Sequence, residues 1–154
     1  MSNLPYRLGI PMVGADSSGP RWAERLLAAH NLERQKAGLP LFAGHPRLDV
    51  VARARVDDML RDGYFAHADP DNTPGNYAAI LGALGIQYRW AGENLALNNY
   101  ADDAVARAMV TWMNSPTHRD NILSPDFDSI GCAAANRPDG TILMAIIFTG
   151  GAVL

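Results

Sequence analysis

One apolar run near the C-terminus constrains the fold more than any other feature of this chain. Residues 141–149 read Thr-Ile-Leu-Met-Ala-Ile-Ile-Phe-Thr, and polar side chains do not alternate with apolar ones along them. A strand with one exposed face alternates, whereas a strand buried on both faces is apolar throughout. The run is far shorter than the ~20 residues that span a bilayer. The sequence therefore predicts a central strand that helices cover on both faces.

Two long helices precede this strand. Gly19-Pro20 and Gly38 mark the ends of the first, and Pro46 and Asp62-Gly63 mark the ends of the second. Proline suits the first helical position, and glycine suits the residue that follows the last turn. Both segments also carry apolar residues at helical spacing, so each is expected to bury one face.

Shorter elements follow the second helix. Residues 66–75 are rich in turn formers, a short helix is predicted near residues 77–84, and residues 86–97 read as a strand interrupted at Gly92. Asp102 and Asp103 suit a helix N-terminus. Two Ser-Pro pairs predict two further helix starts; they are Ser115-Pro116 and Ser124-Pro125.

The last two strands form a hairpin. Residues 128–135 and 141–149 are joined by Arg-Pro-Asp-Gly, a turn signal. With helices first and a doubly covered hairpin last, the fold class is α+β: a three-layer α-β-α sandwich with a small, largely antiparallel central sheet. Residues 1–19 show no periodicity and are predicted to be an irregular N-terminal arm, with residues 20–154 forming a single domain.

Composition excludes several classes of protein. Lysine and arginine number 13 and the acidic residues 16, a formal net charge of −3, so no basic surface for nucleic acid is expected. Cys132 is the sole cysteine, which excludes an intrachain disulfide and any multi-cysteine zinc site. The first ten residues lack a basic segment followed by an apolar one, so no signal peptide is predicted in them.

Glu93 is the acidic residue that fits its surroundings least. It lies in Trp-Ala-Gly-Glu-Asn-Leu-Ala, inside an otherwise apolar strand. A buried carboxylate is costly unless a cation, a hydrogen-bond donor or a metal meets it. The alternatives are a site residue, a partly exposed strand residue or a structural ion pair.

Four histidines are candidate ligands or bases. His30 lies on the first helix and is expected in the core, whereas His45 precedes a proline in a loop and is expected in solvent. His67 begins the turn-rich loop. His118 is the third residue after Ser115, where a positive helix end would lower its pKa and keep it neutral. No local spacing such as HExxH joins them.

Nucleophile motifs are weak. Cys132 lies in an apolar strand where a thiol is inert, and no Gly-x-Ser-x-Gly motif or phosphate loop is present. Ser115 could pair with His118, but a serine before proline favours a helix cap.

Five ordered motifs resemble the CAP superfamily, the SCP-like domain, and in particular its bacterial branch. The motifs are Leu27-Ala-Ala-His-Asn-Leu-Glu-Arg-Gln-Lys-Ala-Gly-Leu39, Phe65-Ala-His67, Ala91-Gly-Glu-Asn-Leu95, Trp112-Met-Asn-Ser-Pro-Thr-His-Arg-Asp-Asn-Ile-Leu123, and Phe127 with Ile130-Gly131. The resemblance runs from about residue 24 to residue 149 and leaves the arm uncovered. It implies an α-β-α sandwich, in agreement with the pattern analysis.

The resemblance also implies a cleft with two histidines and two glutamates. His67, Glu93 and His118 occupy three of those places and would bind a divalent metal, zinc by the preference of imidazole nitrogen. Asn114-Ser115 stands where the family has its second glutamate, so that carboxylate is missing. Supporting roles around the cleft are predicted for Asn31, Arg34, Asn94 and Ser115.

Three functions follow from this resemblance. The leading one is a non-enzymatic protein, secreted or of the cell envelope, whose cleft binds a divalent metal and a small or lipid-like ligand. The second is a zinc-dependent, protease-like hydrolase, with zinc on His67 and His118 and Glu93 as general base. The third is a protein-interaction module with a vestigial cleft.

Overall fold

The computed structural model describes residues 21–68 and 76–152, and these residues form three layers. The elements follow one another as α1 (Trp22–Lys36), β1 (Ala43–Gly44), α2 (Pro46–Asp62), α3 (Asn76–Ala83), β2 (Trp90–Asn98), α4 (Ala104–Met113), α5 (Pro116–Leu123), β3 (Ser129–Asn136) and β4 (Ile142–Gly150). The predicted arm, the Gly19-Pro20 helix start and residues 69–75 of the turn-rich loop lie outside the described residues.

The sheet has the strand order β1-β3-β4-β2. β4 pairs antiparallel with β3 and β2, whereas the short β1 lies parallel to β3. Every residue of β4 is buried. The prediction of a central, doubly covered strand in a largely antiparallel sheet is therefore confirmed.

Two apolar cores lie on the two faces of the sheet. One contains Trp22, Leu26, Met109, Trp112, Ile122 and Phe148 and joins α1, α4 and α5 to the sheet. The other contains Leu48, Val51, Met59, Leu81, Leu143 and Ile147 and joins α2 and α3 to the opposite face. Alternate residues of β4 supply both cores because successive side chains point to opposite faces.

Gly131 sets how closely α2 approaches β3. A Cβ atom at this position would overlap the backbone carbonyl group of Leu48. The absence of a side chain therefore brings the start of α2 against the sheet. In the same region the Asp49 carboxylate accepts a hydrogen bond from the Cys132 backbone N–H at 2.9 Å.

Three sequence predictions about β2 and the segment after α5 are wrong. β2 begins at Trp90 instead of Ile86, because the Ile86 N–H donates to the Leu81 carbonyl and completes the end of α3. The strand then continues through Gly92, which pairs with Phe148. Ser124-Pro125 starts no helix, since the Ser124 hydroxyl instead accepts from the Asp126 N–H in a turn.

His30 is buried in the core between α1 and the sheet, as its place on α1 predicts. It hydrogen-bonds the Leu26 carbonyl through Nδ1 at 2.7 Å, and its ring contacts those of Trp112 and Phe148. Burial lowers the pKa of His30 from 6.5 to about 4, although the bond to Leu26 opposes the shift. This histidine is therefore neutral at physiological pH.

We expect His30 to make the domain sensitive to acid. Between pH 6.5 and 4 the unfolded chain binds a proton at this histidine, whereas the folded protein does not. The free energy of unfolding therefore decreases as the pH is lowered, by about 3 kcal/mol in total. Urea denaturation of the wild type and of His30→Asn across this range measures the effect. Asparagine keeps a donor near the Leu26 carbonyl and cannot titrate, so the variant should show a shallower pH dependence. Equal slopes would contradict the assignment.

Candidate functional site

Glu93 is the buried acid at the centre of the candidate site. Its side chain is fully buried on β2, and Arg55 of α2 is equally buried against it. Arg55 Nε donates to Glu93 Oε2 at 2.6 Å, and Arg55 Nη2 donates to Oε1 at 3.2 Å. Both carboxylate oxygens are thus held by one guanidinium, the strongest geometry for such a pair. Of the alternatives open for Glu93, the structural ion pair is present.

Arg55 has two further acceptors. Its Nη1 donates to the Tyr64 hydroxyl at 3.0 Å and its Nη2 to the Ala66 carbonyl at 2.6 Å. Burial by itself would lower the pKa of Arg55, but the hydrogen bonds and charge of Glu93 outweigh burial and raise it. The guanidinium is therefore permanently charged in the protein interior and neutralises Glu93.

His67 lies on the other side of Glu93, at the surface of the cleft. Its Nδ1–H donates to Glu93 Oε1 at 2.8 Å, and its side chain is 55% exposed. A carboxylate accepts only from a nitrogen that carries hydrogen, so this bond leaves the lone pair of the neutral ring on Nε2. A carboxylate behind a histidine in this way is the usual support of a metal-binding imidazole.

His118 is held from two directions on α5. Its Nδ1 shares a hydrogen bond with the Ser115 hydroxyl at 2.9 Å, and its backbone carbonyl accepts from the Asn94 side chain at 3.1 Å. Burial and, to a lesser degree, the nearby His67 lower the pKa of His118. The direction matches the prediction, but burial and His67 are the causes instead of the helix end.

Ser115 stands at the N-cap of α5, yet its hydroxyl makes no capping bond. The cap prediction for its side chain is therefore wrong, because the hydroxyl reaches the His118 ring one turn further on. The Ser–His pair that the sequence also allowed is the one that forms.

An apolar cleft runs along β2 beside His118, and His67 is close enough to lower the pKa of His118. His118 lines a groove of about 400 Å³ together with Phe65, which is two residues before His67. The other lining residues are mainly apolar or aromatic; they include Leu95, Leu97, Tyr100, Ala108 and Val110. The arrangement places the His118 imidazole beside an apolar wall.

The remaining sequence candidates lie elsewhere. His45 is exposed at the N-cap of α2, where its Nδ1 accepts from the Arg47 N–H. The Cys132 thiol is buried, and burial raises its pKa well above the usual value, so it is unreactive. Within residues 21–68 and 76–152, no group of three or more His, Cys, Asp and Glu side chains is arranged to hold a metal ion.

Glu93 contacts His67 directly, but its oxygens are poorly placed to serve a metal as a third ligand. The sequence hypothesis placed it in the metal's coordination shell, but both of its oxygens are engaged in the protein interior. The geometry places it behind His67, where it orients the ring. The candidate metal ligands that remain are the imidazoles of His67 and His118.

The predicted supporting residues hydrogen-bond loop backbone. Asn31 makes two hydrogen bonds with the Phe42 backbone. Its Nδ2 donates to the Phe42 carbonyl at 3.1 Å, and its Oδ1 accepts from the Phe42 N–H at 2.7 Å. Arg34 donates to four backbone carbonyls. Asn94 joins the His118 carbonyl to the Asn121 side chain. That these residues support the cleft without touching a ligand remains a prediction.

Arg55 and Tyr64 are the site residues that sequence reasoning missed. A signal for Arg55 existed, because it lies three residues after Ala52 and four before Met59, on the buried stripe of α2. An arginine in an apolar stripe indicates a buried partner of opposite charge. Nothing in the local sequence indicated that this partner is Glu93, 38 residues away.

A second apolar groove lies between α1 and α4. It measures about 420 Å³ and is lined mainly by apolar side chains, among them Leu32, Met109, Val110 and Met113. Leu32 and Val110 are unusually exposed for their type, at 52% and 60%. Val110 borders both this groove and the histidine cleft.

The layered fold and the histidine cleft define an SCP-like domain. Residues 27–150 match the model of the CAP, or cysteine-rich secretory protein, family, and the chain belongs to this family. It is 38% identical to YkwD of Bacillus subtilis over 117 residues, which are 76% of this chain and 44% of YkwD. The chain therefore spans less than half the length of that relative.

Solved structures agree on the fold. An extracellular SCP-domain protein of Bacillus anthracis superposes with a TM-score of 0.70 and 26% identity, over 84% of this chain and 40% of that one. NaASP2, solved with Zn²⁺, superposes with a TM-score of 0.57 at 11% identity, over 84% of this chain and 82% of that one, and this likeness shows the fold alone. Among the described residues no helix is long and apolar enough to cross a membrane.

Proposed function

We propose that this CAP domain is a non-enzymatic binding protein of the cell exterior or envelope, whose cleft binds a divalent metal and a small apolar ligand. The observation that carries the proposal is that the rings of His67 and His118 are held in the same way. Each ring has its Nδ1 engaged by a neighbouring side chain, and the rings are close enough for His67 to lower the pKa of His118. Their Nε2 atoms are the groups available to a metal.

The chemistry of the donors favours zinc over magnesium. Zinc takes imidazole nitrogen and accepts water or a ligand in its other positions, whereas Mg²⁺ and Ca²⁺ prefer oxygen. The metal would polarise whatever group binds next to it.

The apolar surroundings support a ligand beside the metal. Leu95, Leu97 and Val110 line the cleft next to His118, and Val110 continues into the groove between α1 and α4. Ligand pockets are typically apolar with a few placed polar groups. A small lipid-like molecule fits this pattern, with its polar end near the histidines.

The state of Glu93 weakens the hydrolase alternative. A general base must reach the water that it deprotonates, but the Glu93 side chain is fully buried and Arg55 holds both of its oxygens.

The extracellular relative from Bacillus anthracis supports a location outside the cytoplasm.

Two assays test the proposal together. A panel of peptides and esters, with and without chelator, should show no turnover. A fluorescent fatty-acid probe should bind, and Val110→Asp should weaken that binding at least about tenfold, because the charge enters an apolar surface. Val50→Asp is the matched control, since Val50 is an exposed valine on α2, away from both grooves. Chelator-sensitive turnover, or equal loss in both variants, would overturn the proposal.

A further inference from the structure

Arg55 connects the core to the candidate metal centre. It is fully buried, and its guanidinium donates to both Glu93 oxygens, to the Tyr64 hydroxyl and to the Ala66 carbonyl. A guanidinium carries five N–H donors in a rigid planar fork, so a single side chain can hold acceptors on several sides. These acceptors belong to β2 and to the segment that leads into His67.

The same side chain thereby fixes His67 at two points. The Ala66 carbonyl, in the peptide bond that precedes His67, is 2.6 Å from Arg55 Nη2. Glu93 Oε1, which accepts from the His67 ring at 2.8 Å, is 3.2 Å from the same nitrogen. One contact sets the backbone of His67, and the other sets the orientation of its ring.

We propose that Arg55 is the positioning residue of the metal centre, holding Glu93 and the Ala66 carbonyl so that His67 keeps Nε2 free for the metal. This proposal rests on the proposed metal binding. A buried ion pair adds little stability over an apolar pair of the same shape. The bonds to Tyr64 and Ala66, which a simple ion pair does not need, give Arg55 a geometric role.

Arg55→Lys is the sharpest test. Lysine keeps the charge and can still pair with Glu93, but its ammonium donates from a single point and cannot also hold Tyr64 and Ala66. In the metal-free protein, ¹⁵N NMR of the His67 ring should change from a single Nδ1–H tautomer to a mixture. Zinc affinity, measured by calorimetry, should fall about 10- to 100-fold, as is usual when the support of a ligating histidine is lost.

Three further variants separate positioning from stability. Arg53→Lys, on the same helix, alters an arginine that donates to the Ala134 carbonyl at the sheet edge and should change neither readout. Val51→Ala lowers stability through a core cavity and should also leave both readouts unchanged. Tyr64→Phe removes a single acceptor of Arg55 and keeps the ion pair. It should therefore change the His67 tautomer and the zinc affinity in the same direction by a smaller amount. This variant is the test if Arg55→Lys fails to fold.

The two readouts distinguish this proposal from the proposed function. An unchanged His67 tautomer and a zinc affinity within twofold of wild type in Arg55→Lys, or in Tyr64→Phe where Arg55→Lys does not fold, overturn the positioning role. Equal loss in Val51→Ala overturns it as well. If the wild type binds no zinc, metal binding fails, and a tautomer change in the metal-free variants would still establish that Arg55 orients His67.

Discussion

Replacing His118 with alanine is expected to weaken zinc binding at least about 100-fold, or about 2.7 kcal/mol. The metal would keep one protein ligand, because Glu93 is held by Arg55 inside the protein. His67→Ala should cause a similar loss. In both variants the buried ion pair stays intact, so the melting temperature should change little. Isothermal titration calorimetry at pH 7.5 measures the affinity.

His45→Ala is the control for this experiment. His45 is exposed at the start of α2 and does not line the cleft, so its loss should leave zinc affinity unchanged. Affinity should also fall as the pH is lowered, because protonated imidazole cannot bind a metal. The lowered pKa of His118 keeps that ligand available below the usual range. Equal losses in the His45 and His118 variants, or no wild-type binding at micromolar zinc, would refute the metal assignment.

Arg34→Met is expected to cost about 4 kcal/mol of unfolding free energy, because it leaves several buried carbonyls without a donor. Arg34 is 1% exposed. Its guanidinium donates to carbonyls of Pro40, Ile122, Ser124 and Phe127 at 3.0, 3.2, 2.5 and 3.2 Å. It also lies 4.1 Å from the centre of the Phe42 ring. One side chain thus ties α1 to the loop that follows α5.

Urea denaturation of Arg34→Met, Arg34→Lys and Lys36→Met tests this role. Lysine keeps the charge but cannot serve four carbonyls, so we expect an intermediate loss. Lys36 is exposed and pairs with Glu33 at the surface, so its loss should stay within about 0.5 kcal/mol. A loss below about 1 kcal/mol in Arg34→Met would mean that water replaces the guanidinium without penalty.

Local signals in the sequence were sufficient for most of the fold. Pro46 and Gly63 bound α2 as predicted, with Gly63 in the left-handed conformation that ends the helix. The apolar run of β4 indicated a doubly covered central strand, and Arg-Pro-Asp-Gly indicated the hairpin that joins it to β3. Each of these features depends on periodicity, burial or backbone preference within a few residues, which the sequence displays directly.

The sequence indicated three residues of the candidate site but not their roles, and it missed Arg55 and Tyr64. The motifs indicated His67, Glu93 and His118; in the structure His67 donates to Glu93, and His118 lines the cleft. The sequence could not show that Glu93 lies behind His67, that Arg55 holds it, or that the Ser115 hydroxyl turns to His118. Arg55 and Glu93 are 38 residues apart, and whether a carboxylate meets a metal or a guanidinium depends on which strand packs against which helix. Only the tertiary structure decides that, because electrostatic pairing in the interior acts through space and leaves no local pattern in the chain.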